Sequence, residues 1–130
     1  MTKENLRLLD ANLNRLREGI RVVEDIYRYI FNDKDTATKL KNLRHNSRIS
    51  VYDELLDSRD IQNDVLKKST ASEQNRTDIK SILIANFKRS QESSRVLEEF
   101  TKLIDTNTSE NFKSIRYELY HLEKSILKHQ

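Results

Sequence analysis

The chain has 130 residues, with one glycine and no proline, cysteine or tryptophan. Because turns, hairpins and phosphate-binding loops rely on glycine and proline, this composition argues against sandwiches, barrels and dinucleotide-binding sheets. The lack of cysteine excludes disulfides and thiolate chemistry. The 24 basic and 21 acidic residues are mixed along the chain, so no nucleic-acid surface is indicated.

Hydrophobic content and length predict a single all-helical domain. Hydrophobic residues make up 35% of the chain, which suits amphipathic helices packed around one modest core. The first ten residues, MTKENLRLLD, contain no apolar signal core, and no stretch has the pattern of a membrane span. We therefore expect a cytoplasmic protein with no membrane partner.

Apolar periodicity predicts two long helices in the first half of the chain. Between residues 6 and 30, apolar side chains recur every three or four positions, which indicates a helix that ends near residues 32–33. A second helix is predicted over residues 36–56, although Ser47 interrupts its apolar face.

The second half of the chain predicts two more helices after a polar connection. Residues 69–75 read STASEQN and predict a loop. A third helix begins around Thr77, and a fourth carries the apolar series over residues 112–126.

A segment of the first helix is repeated in the third. Residues 11–30 align with residues 85–104 at an offset of 74, with identity at eight of 20 positions. The identical pairs are Ala11/Ala85, Asn12/Asn86, Arg15/Arg89, Glu18/Glu92, Arg21/Arg95, Val22/Val96, Glu24/Glu98 and Ile30/Ile104. Such self-similarity indicates internal duplication.

The second and fourth helices match more weakly. Residues 40–45 align with residues 112–117 at an offset of 72. We therefore predict an all-α, four-helix bundle built from two duplicated helical hairpins with pseudo-twofold symmetry. The hairpins are expected at residues 4–57 and 76–129, joined by a connector at residues 58–75.

Polar residues fall within the predicted buried stripe of each duplicated helix. On a helical wheel, Asn12 and Asn86 lie inside the stripe, and Arg15 and Arg89 lie at its border. Buried polar groups cost about 1–3 kcal/mol each if unpaired, so they need partners or a ligand. The asparagines could instead bond each other or a neighbouring helix and fix the register of packing.

Other interpretations of these polar residues stay open. Arg15 and Arg89 could extend from the bundle edge and pair with Glu18 or Glu92 on their own helices. Gly19 lies in mid-helix, where glycine costs about 1 kcal/mol relative to alanine. It therefore marks the close approach of another helix or of a ligand.

Arginine is the one residue type that indicates chemistry. The three histidines are not at metal-ligand spacing, and no glycine-rich phosphate loop is present. Arginine suits phosphate and carboxylate groups, so we expect an anionic small-molecule substrate. The arginines on predicted inner faces or in loops are Arg15, Arg44, Arg48, Arg59, Arg76, Arg89 and Arg116. The spacings Arg21/Asp25 and Arg95/Glu99 are typical of solvated salt bridges.

A family resemblance begins in residues 10–25, which read DANLNRLREGIRVVED. This stretch resembles the opening signature of a helical domain of thiamine biosynthesis that is found alone or fused ahead of thiamine phosphate synthase. Later segments follow in the family's order: Leu43-Arg44-His45, Arg59-Asp60, Asp64-Val65, Arg76-Thr77-Asp78, Ala85-Asn86, Arg95 to Phe100, Lys113, Arg116-Tyr117 and Leu122-Glu123. The chain departs from the family pattern at Ile61, Leu66 and Ser93-Ser94.

The resemblance implies a monofunctional hydroxymethylpyrimidine phosphate kinase. Its reaction would use ATP and Mg²⁺ to convert 4-amino-5-hydroxymethyl-2-methylpyrimidine phosphate to the diphosphate. The attacking phosphate oxygen is already anionic at neutral pH, so no general base is required. The enzyme must instead align two anionic groups and neutralise their charge.

The helix faces and the resemblance together give candidate site residues. The expected catalytic residues are Arg15, Glu18, Arg89 and Glu92. The expected substrate- and phosphate-binding residues are Asn12, Arg44, Arg59, Asn86, Arg21, Arg95 and Arg116. Asp60 and Glu18 are the expected metal ligands.

Two rival functions remain open at this point. The chain could be a helical interaction or regulatory module that partners thiamine phosphate synthase. It could also be a helical enzyme similar to chorismate mutase, which binds a dicarboxylate without a metal. Two-fold self-association as a homodimer is expected for so small a bundle, and Arg21 and Arg95 could then reach a site between subunits.

Overall fold

The computed structural model describes residues 1–128, and every regular element in that part of the chain is helical. Its six α-helices are α1 (Lys3–Asp25), α2 (Lys34–Asn46), α3 (Tyr52–Ser58), α4 (Ala71–Gln74), α5 (Ile79–Phe100) and α6 (Thr106–Leu127). The predicted all-helical class is confirmed. The predicted end of the second hairpin, residue 129, lies outside the described residues. Among the helices described, none is both long and apolar enough to cross a membrane.

The first helix follows its predicted extent. Thr2 caps α1 by accepting a hydrogen bond from the backbone N–H of Asn5 at 3.1 Å. The chain continues from α1 through a π-helical turn, Ile26–Ile30. Asn32 then adopts a left-handed backbone conformation with φ of 51°, which reverses the chain as its turn-forming character predicts.

The predicted second helix over residues 36–56 is wrong, because the chain forms two separate helices there. α2 ends at Asn46, and α3 begins only at Tyr52. At the break, the Ser47 hydroxyl donates to the Leu43 carbonyl at 2.8 Å, and the Ser47 N–H donates to the Arg44 carbonyl at 3.2 Å. These local bonds replace the regular helical pattern and end α2.

The loop predicted over residues 69–75 contains the four-residue helix α4. Thr70 and Glu73 form a reciprocal capping box at its start, which explains why this polar segment becomes helical. Because of α3 and α4, the residues described form six helices rather than the predicted four.

Two aspartates cap α2 and α6 in the same way. The Asp33 carboxylate accepts from the Thr36 N–H at 3.1 Å and from its hydroxyl at 2.7 Å. The Asp105 carboxylate accepts from the Thr108 N–H at 2.7 Å and from its hydroxyl at 3.0 Å. These hydrogen bonds lower the pKa of both carboxyl groups. The two caps lie 72 residues apart, the same offset that aligns the second and fourth predicted helices.

The core lies between α1, α5 and the helices that pack on them. α1 packs along α5, α6 packs on α5, and α2 and α3 pack on α1. α1 and α5 run antiparallel, since Leu16 contacts Ser90 while Gly19 lies against Asn86. The largest buried apolar side chains are Phe87, Phe112, Leu9, Leu16, Ile20, Leu40, Leu83, Leu97 and Leu119.

Gly19 marks the closest approach of α1 to α5. A Cβ atom at this position would meet Ser90 Oγ and would lie 3.1 Å from the Asn86 carbonyl oxygen. Ser90 Oγ also donates to the Leu16 carbonyl at 3.3 Å, so it bonds directly to the α1 backbone. Of the two predicted reasons for this glycine, the structure shows close approach of a neighbouring helix.

Candidate functional site

One buried ion pair joins α1 to α2, and an equivalent pair joins α5 to α6. Glu24, which is 1% exposed, accepts from Arg44 Nε at 2.7 Å and from Arg44 Nη2 at 3.1 Å. Glu98 Oε1 accepts from Arg116 Nε at 3.2 Å and from Arg116 Nη2 at 2.8 Å. The pairs fix α2 on α1 and α6 on α5, because both carboxylates need a cation to be buried.

These contacts further favour the charged form of both arginines. A hydrogen bond to Glu24 raises the pKa of Arg44. A hydrogen bond to Tyr120, and to a smaller extent the hydrogen bonds to Glu98, raise the pKa of Arg116. Both guanidinium groups are occupied in positioning helices, and their predicted phosphate-binding role stays a prediction.

The connector is attached to α1 by a third charged pair. Arg59 donates from Nε and Nη2 to the two carboxylate oxygens of Asp10 at 2.8 and 2.9 Å, and this bidentate contact raises the Arg59 pKa. Arg7 donates to the Asp60 carbonyl at 3.0 Å. The Asp60 carboxylate accepts from Asn63, which lowers its pKa, so it is ionised at neutral pH.

A cleft between α1 and α5 brings together four of the predicted site residues. This central cleft has a volume of about 280 Å³ and is lined by Asn12, Arg15, Arg89, Glu92, Ser93 and Val96. Among residues 1–128, the side chains of Arg15 and Arg89 make no hydrogen bond or ion pair with any protein group, and the same is true of the Glu92 side chain. Two unneutralised guanidinium groups facing one cavity favour an anionic ligand.

A larger cleft adjoins the central cleft. This connector cleft, of about 610 Å³, lies between α1 and the connector, and it shares Asn12 and Arg15 with the central cleft. Its charged lining residues are Glu4, Arg7, Asp10, Arg15, Arg59, Asp60, Asp64 and Lys67. The volume is within the range of small-molecule sites. Asn12 and Arg15 therefore lie where two cavities meet.

The side-chain amide N–H of each asparagine donates to a backbone carbonyl of its own helix. Asn12 Nδ2 donates to the Leu8 carbonyl at 2.9 Å, and Asn86 Nδ2 donates to the Ile82 carbonyl at 2.8 Å. The expectation that they bond each other or a neighbouring helix is wrong for the part of the chain described. Each amide oxygen is left without a protein donor there, so it can accept a hydrogen bond from a ligand.

The predicted residues outside these clefts and ion pairs are exposed, except for the half-buried Asn86. Arg21 pairs with Asp25 at 3.2 Å, and Arg95 pairs with Glu98 at 3.0 Å and with Glu99 at 3.5 Å. The predicted solvated salt bridges are thus confirmed. Glu18 is exposed and forms no ion pair among the described residues, and Asn86, half-buried, lies outside both clefts.

Sequence reasoning missed the acidic partners of the arginines. Asp10, Glu24 and Glu98 are buried and hold Arg59, Arg44 and Arg116. A signal was present, because Glu24 and Glu98 are identical between the repeats, and the two arginines they bind are aligned at the second offset.

The central cleft contains one carboxylate that could bind a magnesium ion, and the connector cleft contains several. No group of three or more His, Asp or Glu side chains that could hold a metal occurs within residues 1–128. Mg²⁺ is commonly held by one or two carboxylates together with substrate phosphates. A single carboxylate with substrate phosphates fits that donor set, and Glu92 in the central cleft and Asp60 in the connector cleft are the two alternatives.

A third cleft lies at the turn of the first hairpin. It has a volume of about 310 Å³, and its lining includes Arg28, Lys34 and Lys41. Arg28 is thirteen residues beyond Arg15, which places this cleft about 20 Å along the helix from the central cleft. It is therefore too distant to share a ligand with Arg15 and Arg89.

These features define an all-helical domain with a cleft between its two central helices that is lined by two arginines, Arg15 and Arg89, and one glutamate, Glu92. The model of the ThiD2 family matches residues 7–125. The chain belongs to this family.

The similar proteins with known names are longer than this chain. A thiamine-phosphate synthase of Nostoc punctiforme is 41% identical over 125 residues, which are 95% of this chain and 36% of that protein. A thiamine-phosphate synthase of Synechocystis sp. is 43% identical over 122 residues, 93% of this chain and 36% of that protein. One of Rhodopirellula baltica is 40% identical over 120 residues, 88% of this chain and 32% of that protein. The chain thus spans about a third of these relatives, and no solved structure matches it.

Proposed function

We propose that this chain acts in thiamine biosynthesis as a phosphotransferase. The proposed reaction transfers the γ-phosphoryl group of ATP to hydroxymethylpyrimidine phosphate and gives the pyrimidine diphosphate and ADP. Family membership and the name of the relatives support the pathway. The sequence resemblance supports the reaction.

One observation carries the proposal: Arg15 and Arg89 line the same cleft, and among residues 1–128 neither guanidinium group forms an ion pair with a carboxylate. The other inward arginines, Arg44 and Arg116, are neutralised by buried carboxylates. Phosphoryl transfer depends on positioning and on charge neutralisation, which guanidinium groups supply. A bundle with a single glycine has to use side chains where glycine-rich kinases use backbone N–H groups.

The residues of the clefts have distinct proposed roles. Arg15 and Arg89 bind the phosphates between which transfer occurs, and Asn12 accepts a hydrogen bond from a substrate donor. Either Glu92 or Asp60 would hold Mg²⁺ together with substrate phosphates, and the ion would neutralise phosphate charge when bound. No side chain has to remove a proton, because the attacking phosphate oxygen is already ionised.

The test is steady-state kinetics of three arginine variants. We expect Arg15→Met and Arg89→Met each to reduce kcat/KM for diphosphate formation by at least about a hundredfold. Arg17→Met is the matched control, because Arg17 is exposed on the same helix and lines neither cleft. Circular dichroism confirms that each variant is folded. Full activity in a folded Arg15→Met variant would refute the assignment of the site.

A second candidate function is a helical module that serves thiamine-phosphate synthase. The observation in its favour is that the matched relatives carry that name and are about three times as long as this chain. In this case the chain would bind the synthase and would form no diphosphate. Calorimetric titration of the chain with a thiamine-phosphate synthase, alongside the kinase assay, separates the two functions.

We also propose that the bundle arose by duplication of a helical hairpin. Three kinds of contact support this, each present in both halves. The equivalent contacts are Glu24–Arg44 and Glu98–Arg116, Asp33–Thr36 and Asp105–Thr108, and Asn12–Leu8 and Asn86–Ile82. Each set obeys the sequence offsets of 74 or 72.

A further inference from the structure

We propose that the central cleft is one half of a two-part groove whose halves bind the two anionic substrates separately. The proposal rests on the proposed kinase function and goes further, because it assigns a different asparagine to each substrate. Its starting point is the set of repeated residues that the buried contacts leave unexplained.

The unexplained repeats form one stripe on each central helix. On α1 the stripe is Ala11, Arg15, Glu18 and Val22, at steps of four, three and four residues, and all four residues are exposed. On α5 it is Ala85, Arg89, Glu92 and Val96, at the same steps. Such steps place the members of each stripe on one helix face. The same four residue types therefore occur in the same order along both sides of the groove.

The antiparallel packing relates the two stripes by a twofold rotation. Asn12 shares the central cleft with Val96, Leu16 accepts from Ser90, and Gly19 lies against Asn86. Moving forward along α1 therefore means moving backward along α5. The rotation axis passes between the two helices near the middle of the groove.

The second half of the groove is defined by taking each residue that lines the central cleft and finding its equivalent in the other repeat, 74 residues away. The residues equivalent to Asn12, Arg15, Arg89, Glu92, Ser93 and Val96 are Asn86, Arg89, Arg15, Glu18, Gly19 and Val22. Arg15 and Arg89 occur in both sets, so they stand at the centre. Each half then has its own asparagine from one helix and its own glutamate from the other.

The two halves differ in their surroundings. The half that contains Asn12 opens into the connector cleft, whose volume of about 610 Å³ gives room for a nucleotide. The half that contains Asn86 lacks this extension among the described residues. We therefore assign ATP to the Asn12 half and the pyrimidine phosphate to the Asn86 half, with the reacting phosphates between Arg15 and Arg89.

The chemistry of the transfer balances in this arrangement. An ionised oxygen of the pyrimidine phosphate forms a bond to the γ-phosphorus of ATP. The bond from that phosphorus to the oxygen bridging to the β-phosphate breaks, and ADP leaves with the electron pair. No proton transfer is required, and the two central arginines face both reacting groups.

The test compares two asparagine variants by the Michaelis constant for each substrate. Asn86→Ala should raise KM for the pyrimidine phosphate about tenfold and leave KM for ATP unchanged, because one hydrogen bond to a substrate is lost. Asn12→Ala should raise KM for ATP about tenfold and leave the other constant unchanged. Asn42→Ala, an exposed asparagine on α2, is the control and should change neither constant.

The outcomes separate this proposal from the proposed function. Absence of diphosphate with the wild-type chain would refute the kinase function itself. If the wild type is active, equal effects of both variants on both constants, or the reverse assignment, would overturn the two-half groove. Should an alanine variant fail to fold, the serine variant at the same position is measured instead, with the same expected pattern.

Discussion

Replacing Gly19 with alanine should destabilise the bundle, even though alanine is the better helix former. Alanine gains about 1 kcal/mol over glycine within a helix. Against this, its Cβ would meet Ser90 Oγ and would lie 3.1 Å from the Asn86 backbone oxygen. Adding a methyl group to a closely packed contact costs about 1–3 kcal/mol. We expect a net loss of about 1 kcal/mol in the free energy of unfolding.

Urea denaturation followed by circular dichroism measures this loss. The transition midpoint of Gly19→Ala should fall by about 0.5 M with an unchanged slope. The Ser90→Ala background supplies a sharper test, because it removes the Oγ atom and leaves the Asn86 carbonyl oxygen at 3.1 Å and the Cβ of residue 90 at 3.5 Å, an ordinary van der Waals contact. There the same substitution should be close to neutral. An increase in the midpoint for Gly19→Ala in the wild-type background would refute the reasoning.

Two further predictions concern the ion pairs and the caps. Arg44→Met leaves the buried carboxylate of Glu24 without its cation and should reduce the free energy of unfolding by about 3 kcal/mol. Arg21→Met breaks an exposed pair and should reduce it by less than about 1 kcal/mol. Urea denaturation measures both changes. The caps predict a pH dependence, because the folded pKa of Asp33 and Asp105 lies below the ordinary value of 3.8. Their contribution is therefore present above pH 3.8 and is lost as pH falls through the folded pKa. The stability difference between the wild type and Asp33→Asn with Asp105→Asn should shrink over that range, and a difference independent of pH would contradict this account.

The fold was largely predictable because local signals agree with tertiary packing along most of the chain. Periodicity located α1, α5 and α6, and Asn32 marked the first turn. Periodicity alone did not place the break after Asn46, since Ser47 interrupts the apolar face at one position only and apolar residues resume at Val51 and Leu55, while the Ser47 hydroxyl bonds back to the Leu43 carbonyl. A serine within a helical pattern bonds either to solvent or to its own backbone, and the sequence does not distinguish the two.

The candidate site was predictable in part. The helical wheel and the repeat selected Asn12, Arg15, Arg89 and Glu92, and the structure brings these four into one cleft. The wheel could not show that Arg44 is neutralised by Glu24, because that pair depends on how two helices cross. Helix faces follow from sequence spacing, whereas contacts between helices follow from packing.

The central claim is that this chain transfers a phosphoryl group to hydroxymethylpyrimidine phosphate, and phosphorus NMR tests it most directly. The purified chain is incubated with the pyrimidine phosphate, ATP and Mg²⁺, and the phosphorus signals are followed with time. The account predicts that pyrimidine diphosphate and ADP appear in equal amounts, and that no product forms when Mg²⁺ is chelated. A folded chain that leaves both substrates unchanged, or that releases ADP and inorganic phosphate without diphosphate, would contradict it.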